Sequence, residues 1–416
     1  MIELPYLTTD IAGVAAVIKR SEEDFRVEEL PLYELEGAGD HVHFLAEKRG
    51  QTTNALVREV ARKLDRPQGA VGYAGLKDAQ AVTRQWLSIE HVTPETCLAL
   101  ELSMARVLVA NRHRNKLKRG HLAGNRFTIV LRECDASRIE DVQSVLTVLE
   151  RVGLPNSFGP QRFGARGDSA RIGSAILQAD HREAIELISG RPGPLDFGAV
   201  KEARELFDSE RYAEAARAWP RGFELSAKLC GAMDKHRGRA SRAIRALSKR
   251  EKAFYISAWQ SELFNRVLAA RMPDIDKLFE GEFAWNHGGR RAFEVRDLAA
   301  ERARALRFEV SAAGPLFGPA TRLAAGRAGN QEREVLEESG VALEALDRRR
   351  FAGITGGRRA LRVRPTEVDV RTLDASSLEL RFCLPEGAFA TSLLREILKE
   401  FSLLPYSSEE RPPGGA

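Results

Sequence analysis

Apolar and polar residues alternate in several short stretches of the first third of the chain, and again near its end. Over residues 24–28, Phe25 and Val27 point one way and the charges the other, which predicts a half-buried strand. Val42, Phe44 and Ala46 repeat the pattern, and further strands are expected at about 84–89 and 126–132. In the last of these Phe127, Ile129 and Leu131 share one face. Between them the period changes. Val57, Val60, Ala61 and Leu64 fall at helical spacing, with Thr52, Thr53 and Asn54 available as caps. Ile139, Val142, Leu146 and Leu149 predict a second helix.

From about residue 156 the style differs. Ala- and Arg-rich helical stretches dominate, broken by Gly/Pro segments such as 189–194. Ile256, Trp259, Leu263 and Val267 mark one helix face. Alternation returns at Leu378, Leu380, Phe382 and Leu384, followed by a helix with Leu394, Ile397, Leu398 and Phe401 inward. A terminal strand–helix unit in the style of the first part predicts one discontinuous domain, 1–155 plus 357–416. Residues 156–356 would be an insertion. The Pro/Gly-rich tail after Tyr406 is expected to lie outside any core.

The chain has 416 residues, enough for two domains, with 43% hydrophobic and 30% charged residues. Net charge is only +5, so the clustering of charge matters more than its sum. Arg112, Arg114, Lys116, Lys118 and Arg119 form a run without an acid, and 237–250 is also mostly basic. Such patches attract phosphates, although a solvated helix face is the plainer reading of each. Cys97, Cys134, Cys230 and Cys383 are far apart and form no metal-binding pair, as expected of buried thiols in a reducing compartment. His41 and His43 share a strand face without supporting Cys or acidic residues, and are expected at the surface. The apolar run 11–18 is too short to span a bilayer and no leader pattern precedes it, so the expected location is cytoplasmic. Phosphate-loop and zinc-protease motifs are absent.

Asp78 is the strongest candidate for chemistry. Gly72 and Gly75 permit a tight approach to it. Lys77 and Arg84 are placed in sequence to favour its ionised form. A cap to a turn is the plain alternative. Phe127 follows Asn125 and Arg126 at the start of its strand. Its plain reading is core, but a ring presented there, beside basic residues, would suit a base. Stacking contributes about 1–3 kcal/mol per base, comparable with the few kcal/mol needed to extract one from a helix. Residues 158–164 hold two glycines, two phenylalanines and Arg162 with no apolar period, which suits a functional loop or a hinge between domains.

These segments together resemble the TruD family of tRNA pseudouridine synthases. The motifs run through 19–29, 50–54, 75–85, 120–127, 155–164, 257–265, 314–318 and 384–396, and so span nearly the whole chain. The resemblance implies an α+β chain with the pseudouridine synthase fold, a mixed and mainly antiparallel sheet with helices, into which a family-specific TRUD domain is inserted. It implies isomerisation of a tRNA uridine, typically uridine 13 of the D arm, without metal, nucleotide or redox cofactor. Asp78 matches the family's catalytic aspartate and Phe127 its active-site aromatic. Lys19, Asn125, Gln161 and Arg162 match positions that line or support the pocket. The family usually carries a basic residue directly after the aspartate, and here that residue is Ala79. The competing expectations are a synthase acting on another RNA uridine and a non-catalytic RNA-binding protein on the same fold.

Overall fold

The computed structural model describes residues 4–342, 346 and 352–399. Phe401 and the tail after Tyr406 lie outside the described residues. The chain divides into two compact units. One holds residues 6–154 with 363–399, and the other 155–362 with the first few residues.

The first unit is built on an eight-stranded sheet. Its strands are β1 (Phe25–Pro31), β2 (His41–Arg49), β3 (Gly72–Tyr73), β4 (Val82–Glu90), β5 (Ala105–His113), β6 (Leu122–Arg132), β7 (Thr366–Asp374) and β8 (Ser377–Pro385). They lie in the order β7-β8-β6-β1-β4-β2-β5, with β3 paired to β4. Only the β1–β4 pair is parallel. The sheet is therefore mixed and mainly antiparallel, as expected.

Helix α1 (Thr53–Lys63) begins at the expected cap, where Ala55 N donates to Thr52 Oγ1 over 3.1 Å. Its Leu56, Val57 and Val60 pack against Val42, Phe44 and Ala46 of β2 and Leu87 and Ile89 of β4. Helix α2 (Ile139–Val152) and helix α3 (Ala390–Leu398) cover another part of the sheet. There Val142, Leu146 and Leu149 meet Ile129, Leu131, Leu378, Leu380, Leu394 and Ile397. Each fully buried side chain of this size contributes about 1.5–3 kcal/mol, so the last described segment is part of this core.

The second unit is mostly helical. Its longest helix, Lys249–Arg271, starts in a capping box in which Glu251 N donates to Ser248 Oγ over 3.2 Å and Ser248 N to Glu251 Oε2 over 2.5 Å. Ile256, Trp259, Leu263 and Val267 face Leu177, Phe317 and Val335. The Gly/Pro stretch after residue 189 does end a helix, His181–Ser189. A four-stranded sheet orders 357–360, 310–316, 283–286 and 291–294.

Candidate active site

Asp78 sits in the loop 74–81 that joins β3 to β4. Three contacts set its position. Lys77 N donates to Thr53 Oγ1 over 2.9 Å, and that hydroxyl donates to Gln85 Oε1 over 2.9 Å. Asp78 O accepts from Lys48 Nζ at 2.7 Å. Asp78 Oδ2 accepts from Lys19 Nζ at 2.9 Å. The carboxylate remains 61% exposed. No hydrogen bond to Oδ1 is found among the described residues. One oxygen is thus held and the other open.

Lys19 reaches Asp78 from an irregular segment. Val17 exchanges both backbone hydrogen bonds with Arg132 of β6, at 2.8 and 2.9 Å, and pins this segment to the sheet. Two residues later Lys19 turns at φ 56°. That left-handed conformation costs an L-residue about 1–2 kcal/mol, and such strain concentrates where a side chain is being aimed. The Lys19 ammonium also lies 4.2 Å from the centre of the Phe25 ring.

Beneath the loop lies a buried polar floor. Lys77 Nζ sits 2.8 Å from Glu29 Oε2 and donates to Asn125 Oδ1 at 2.5 Å. The side chains of Lys77 and Glu29 are 6% and 1% exposed. Glu29 and Asn125 are direct partners across β1 and β6. Glu29 Oε1 accepts from Trp86 N at 3.2 Å. Burial pushes the Glu29 carboxyl above its ordinary range, opposed by Lys77. Asn125 follows Gly124, where a Cβ would stand 2.3 Å from Leu384 O. Only glycine lets β6 and β8 approach so closely.

Several expectations are corrected by this geometry. The cation on Asp78 is Lys19, not Lys77 or Arg84. Lys77 turns down to Glu29, and Arg84 pairs with Glu47 at 2.9 Å and Glu28 at 3.6 Å. Phe127 is not a presented ring. It is 7% exposed, 6.4 Å edge-on from Phe25 and stacked 5.2 Å from Phe382. The inward phase of β6 carries it into the core and outweighs its place near the strand's start. His43 is not a surface residue either. It is buried, stacked 4.3 Å from His113, with Nε2 2.8 Å from Asn115 O. Burial lowers its pKa. His41 stays partly exposed near Glu90.

Within the basic run, Arg114, Lys118 and Arg119 are exposed, while Arg112 and Lys116 are half-buried. Arg112 donates to Gly39 O, Lys116 to Gly69 O and Arg119 to Tyr73 Oη, and Arg114 pairs with Glu36. Gln161 and Arg162 belong to the second unit. Gln161 is exposed; Arg162 is half-buried and donates to Ser257 and Ser261. Their loop is tied by Asn265, which bonds both N and O of Phe158 at 2.9 Å. The second basic stretch holds its cations outward around buried Ala243, Ile244 and Leu247. Among the described residues no cluster of three or more His, Cys, Asp or Glu is placed to hold a metal, and all four cysteines are free and buried.

The model of the TruD family, described as tRNA pseudouridine synthase D, matches residues 1–397. The chain belongs to that family. Among its TruD relatives, the tRNA pseudouridine synthase D of Geobacter metallireducens is 42% identical over 397 residues, covering 95% of this chain and 98% of that one. The protein of the same name from Anaeromyxobacter dehalogenans is 40% identical over 416 residues, covering 98% and 100%. A crystal structure of a Methanosarcina mazei protein, described as a candidate TruD, superposes with a TM-score of 0.81 at 26% identity, covering 96% and 99%. The TruD fold is therefore shared along essentially the whole length.

Glu29, Lys48 and the downward turn of Lys77 were missed by sequence reasoning. A signal existed for two of them. Phe25 and Val27 face inward on β1, and Glu29 is next in that phase. Val42, Phe44 and Ala46 face inward on β2, and Lys48 is next. A charge continuing an apolar face marks a buried polar floor.

Proposed function

We propose that this protein isomerises a uridine of tRNA to pseudouridine, that the uridine is number 13 in the D arm, and that Asp78 is the catalytic residue. Membership of the TruD family supports the reaction class. The observation that carries the residue assignment is the state of the Asp78 carboxylate: fixed through its main chain, ion-paired at Oδ2, open at Oδ1, and exposed.

The reaction breaks the bond from C1′ to N1 and forms one from C1′ to C5. N1 gains a proton and C5 loses one. The base must first leave the stack, because neighbouring bases block C1′. Asp78 Oδ1 then serves either route that the chemistry allows. It attacks C1′ and holds the ribose as an ester, or it removes the 2′ proton and gives a glycal. Either way the freed uracil carries negative charge. The Lys19 ammonium, already 2.9 Å from Asp78 Oδ2, is the donor at hand to stabilise it. C5 of the turned uracil then bonds to C1′, displacing the Asp78 carboxylate from the ester or, on the glycal route, as Asp78 returns the proton to C2′; the freed carboxylate takes the C5 proton, and N1 takes one from solvent.

In this reading Asn125 holds the floor beneath the loop, and Phe127 supports it from the core through Phe25. Gln161 and Arg162 are assigned contacts to the RNA. Arg112, Arg114, Lys116, Lys118 and Arg119 meet the RNA backbone, with the exposed three contributing most. The partner is tRNA, the compartment the cytoplasm, and the reaction needs no metal or small-molecule cofactor. Among the described residues no helix is long and apolar enough to cross a membrane.

The test is to incubate purified protein with unmodified tRNA transcripts and map pseudouridine by carbodiimide adducts. A single adduct at uridine 13 is expected. An adduct elsewhere would overturn the site assignment. Tight binding without any adduct would overturn the activity and favour a non-catalytic RNA-binding protein.

A further inference from the structure

Lys48 is the least expected member of the floor. It is 0% exposed. On β2 it continues the inward phase of the apolar core, opposite Thr83 of β4 and Ala105 of β5. An apolar residue there would extend the core without electrostatic cost. A buried ammonium instead carries a heavy desolvation penalty and is kept only where its protons are used. Two of them go to main-chain carbonyls: Asp78 O at 2.7 Å and Gln51 O at 2.5 Å. Gln51 lies in the turn between β2 and α1, next to Gly50, whose φ of 59° makes that turn. One ammonium thus ties the loop bearing Asp78 to the turn that starts α1.

We propose that Lys48 is a positioning residue, which holds Asp78 in its reactive pose by gripping the main-chain carbonyl from within the core. The inference rests on the isomerase reading above. Lys48 cannot touch substrate, because its side chain has no exposed surface. It acts through Asp78. Lys19 aims the carboxylate, and Lys48 fixes the backbone from which it projects.

The charge of the clamp has a pH dependence that supports the same reading. Burial lowers the Lys48 pKa to about 8; Asp78 and Glu22 favour the ammonium, and Lys77 opposes it. The neutral amine loses the charge-assisted strength of both bonds. Activity should therefore fall in mildly alkaline solution as the clamp loosens.

The experiment compares the full-length wild type with Lys48→Met and Lys48→Arg. It reads single-turnover isomerisation, tRNA affinity, pH profile and hydrogen exchange of residues 74–81. Methionine keeps length and burial without a donor. Arginine keeps its charge throughout. Lys48→Met is expected to lose roughly a hundredfold in rate, the scale of displacing a reactive group by about 1 Å, with unchanged tRNA affinity and faster exchange in the loop. Lys48→Arg should recover part of the rate and lack the alkaline decline expected of the wild type near pH 8. A purely structural lysine would lower only the melting temperature, and wild-type turnover by folded Lys48→Met would overturn the proposal. If Lys48→Met does not fold, the same alkaline decline in Lys48→Arg as in the wild type overturns it. Unchanged loop exchange in a folded Lys48→Met refutes the clamp whatever the turnover, whereas a wild type that makes no pseudouridine refutes the isomerase reading alone.

Discussion

Replacing Glu29 by Gln should loosen the floor of the site by an amount the structure sets. Glu29 and Lys77 lie 2.8 Å apart with almost no exposed surface. Glutamine keeps the shape and an oxygen for the Trp86 N–H, but its NH2 then faces the Lys77 ammonium, so the change removes both the charge and the acceptor that Lys77 uses. Breaking one side of a buried pair typically costs about 3–5 kcal/mol. Asn125 still accepts from Lys77, which places the expected loss near the lower end, about 3 kcal/mol. Lys77→Met should behave differently, because the abandoned Glu29 can take up a proton. Its pKa is already pushed up by burial. A carboxyl whose folded pKa exceeds its unfolded value keeps its stability below the unfolded value and loses it as pH rises through the folded one. The Lys77→Met penalty should thus be small below the ordinary glutamate pKa of about 4.3 and grow towards neutral pH. The double variant should lose less than the sum, with a coupling of about 1–3 kcal/mol. A chain of two units need not melt in one step, so the readout is hydrogen exchange of peptides covering 82–90 and 122–132. A Glu29→Gln variant within about 0.5 kcal/mol of wild type, the usual span of surface changes, together with additive losses in the double variant, would refute the buried-pair reasoning.

Phe127→Ala should cost about 3–5 kcal/mol as a core truncation, read by the same exchange experiment; a loss of tRNA affinity at unchanged stability would instead mean that the ring meets a base. Neutralising Arg114, Lys118 and Arg119 to Gln should weaken binding to any tRNA and flatten the slope of log affinity against log salt by about 1 per phosphate contact removed. An unchanged slope would exclude the run from the RNA interface. In the window from about pH 8 up to the ordinary lysine pKa of about 10.4, Lys48 binds fewer protons folded than unfolded. The wild type should therefore gain stability relative to Lys48→Met as pH rises there. The gain reaches up to about 3 kcal/mol, since each tenfold loss of proton affinity on folding is worth about 1.4 kcal/mol. A constant difference across that window would count against a charged, buried Lys48.

The strands that could be read from sequence are those with one wet and one dry face. Phe25 and Val27, Val42 to Ala46, and Leu378 to Leu384 alternate because the sheet buries one side of each. β5 and β7 escaped notice for a physical reason. They are the two edges of the sheet, and much of each stays partly exposed on both faces, so little alternation is imposed. The compact units exchange at 154/155 and 362/363, so the strand at 357–360 pairs within the second unit's sheet, and nothing in its short Gly- and Arg-rich sequence marks that exchange. Lys19 stood out only because its motif matches a family; Asp78 was nominated by the glycines and cations around it, but a lone carboxylate in a Gly-rich loop has no period that separates it from a turn cap. The bonds of Lys77 to Glu29 and Asn125 and of Lys48 to Asp78 were hidden because they join residues 30 to 48 apart in sequence. The basic run was visible as charge, but its ties to Gly39, Gly69 and Glu36 were not.

The proposed isomerisation requires the Asp78 carboxylate to perform the chemistry. The most direct measurement is single-turnover release of tritium from C5-labelled uridine in tRNA by wild type and by Asp78→Asn, with tRNA affinity and melting measured on the same samples. Asparagine keeps the shape of the side chain and removes the attacking or proton-accepting oxygen. Undiminished tRNA binding and stability with no tritium release is the predicted result. Tritium release by Asp78→Asn at a rate comparable with wild type would contradict it.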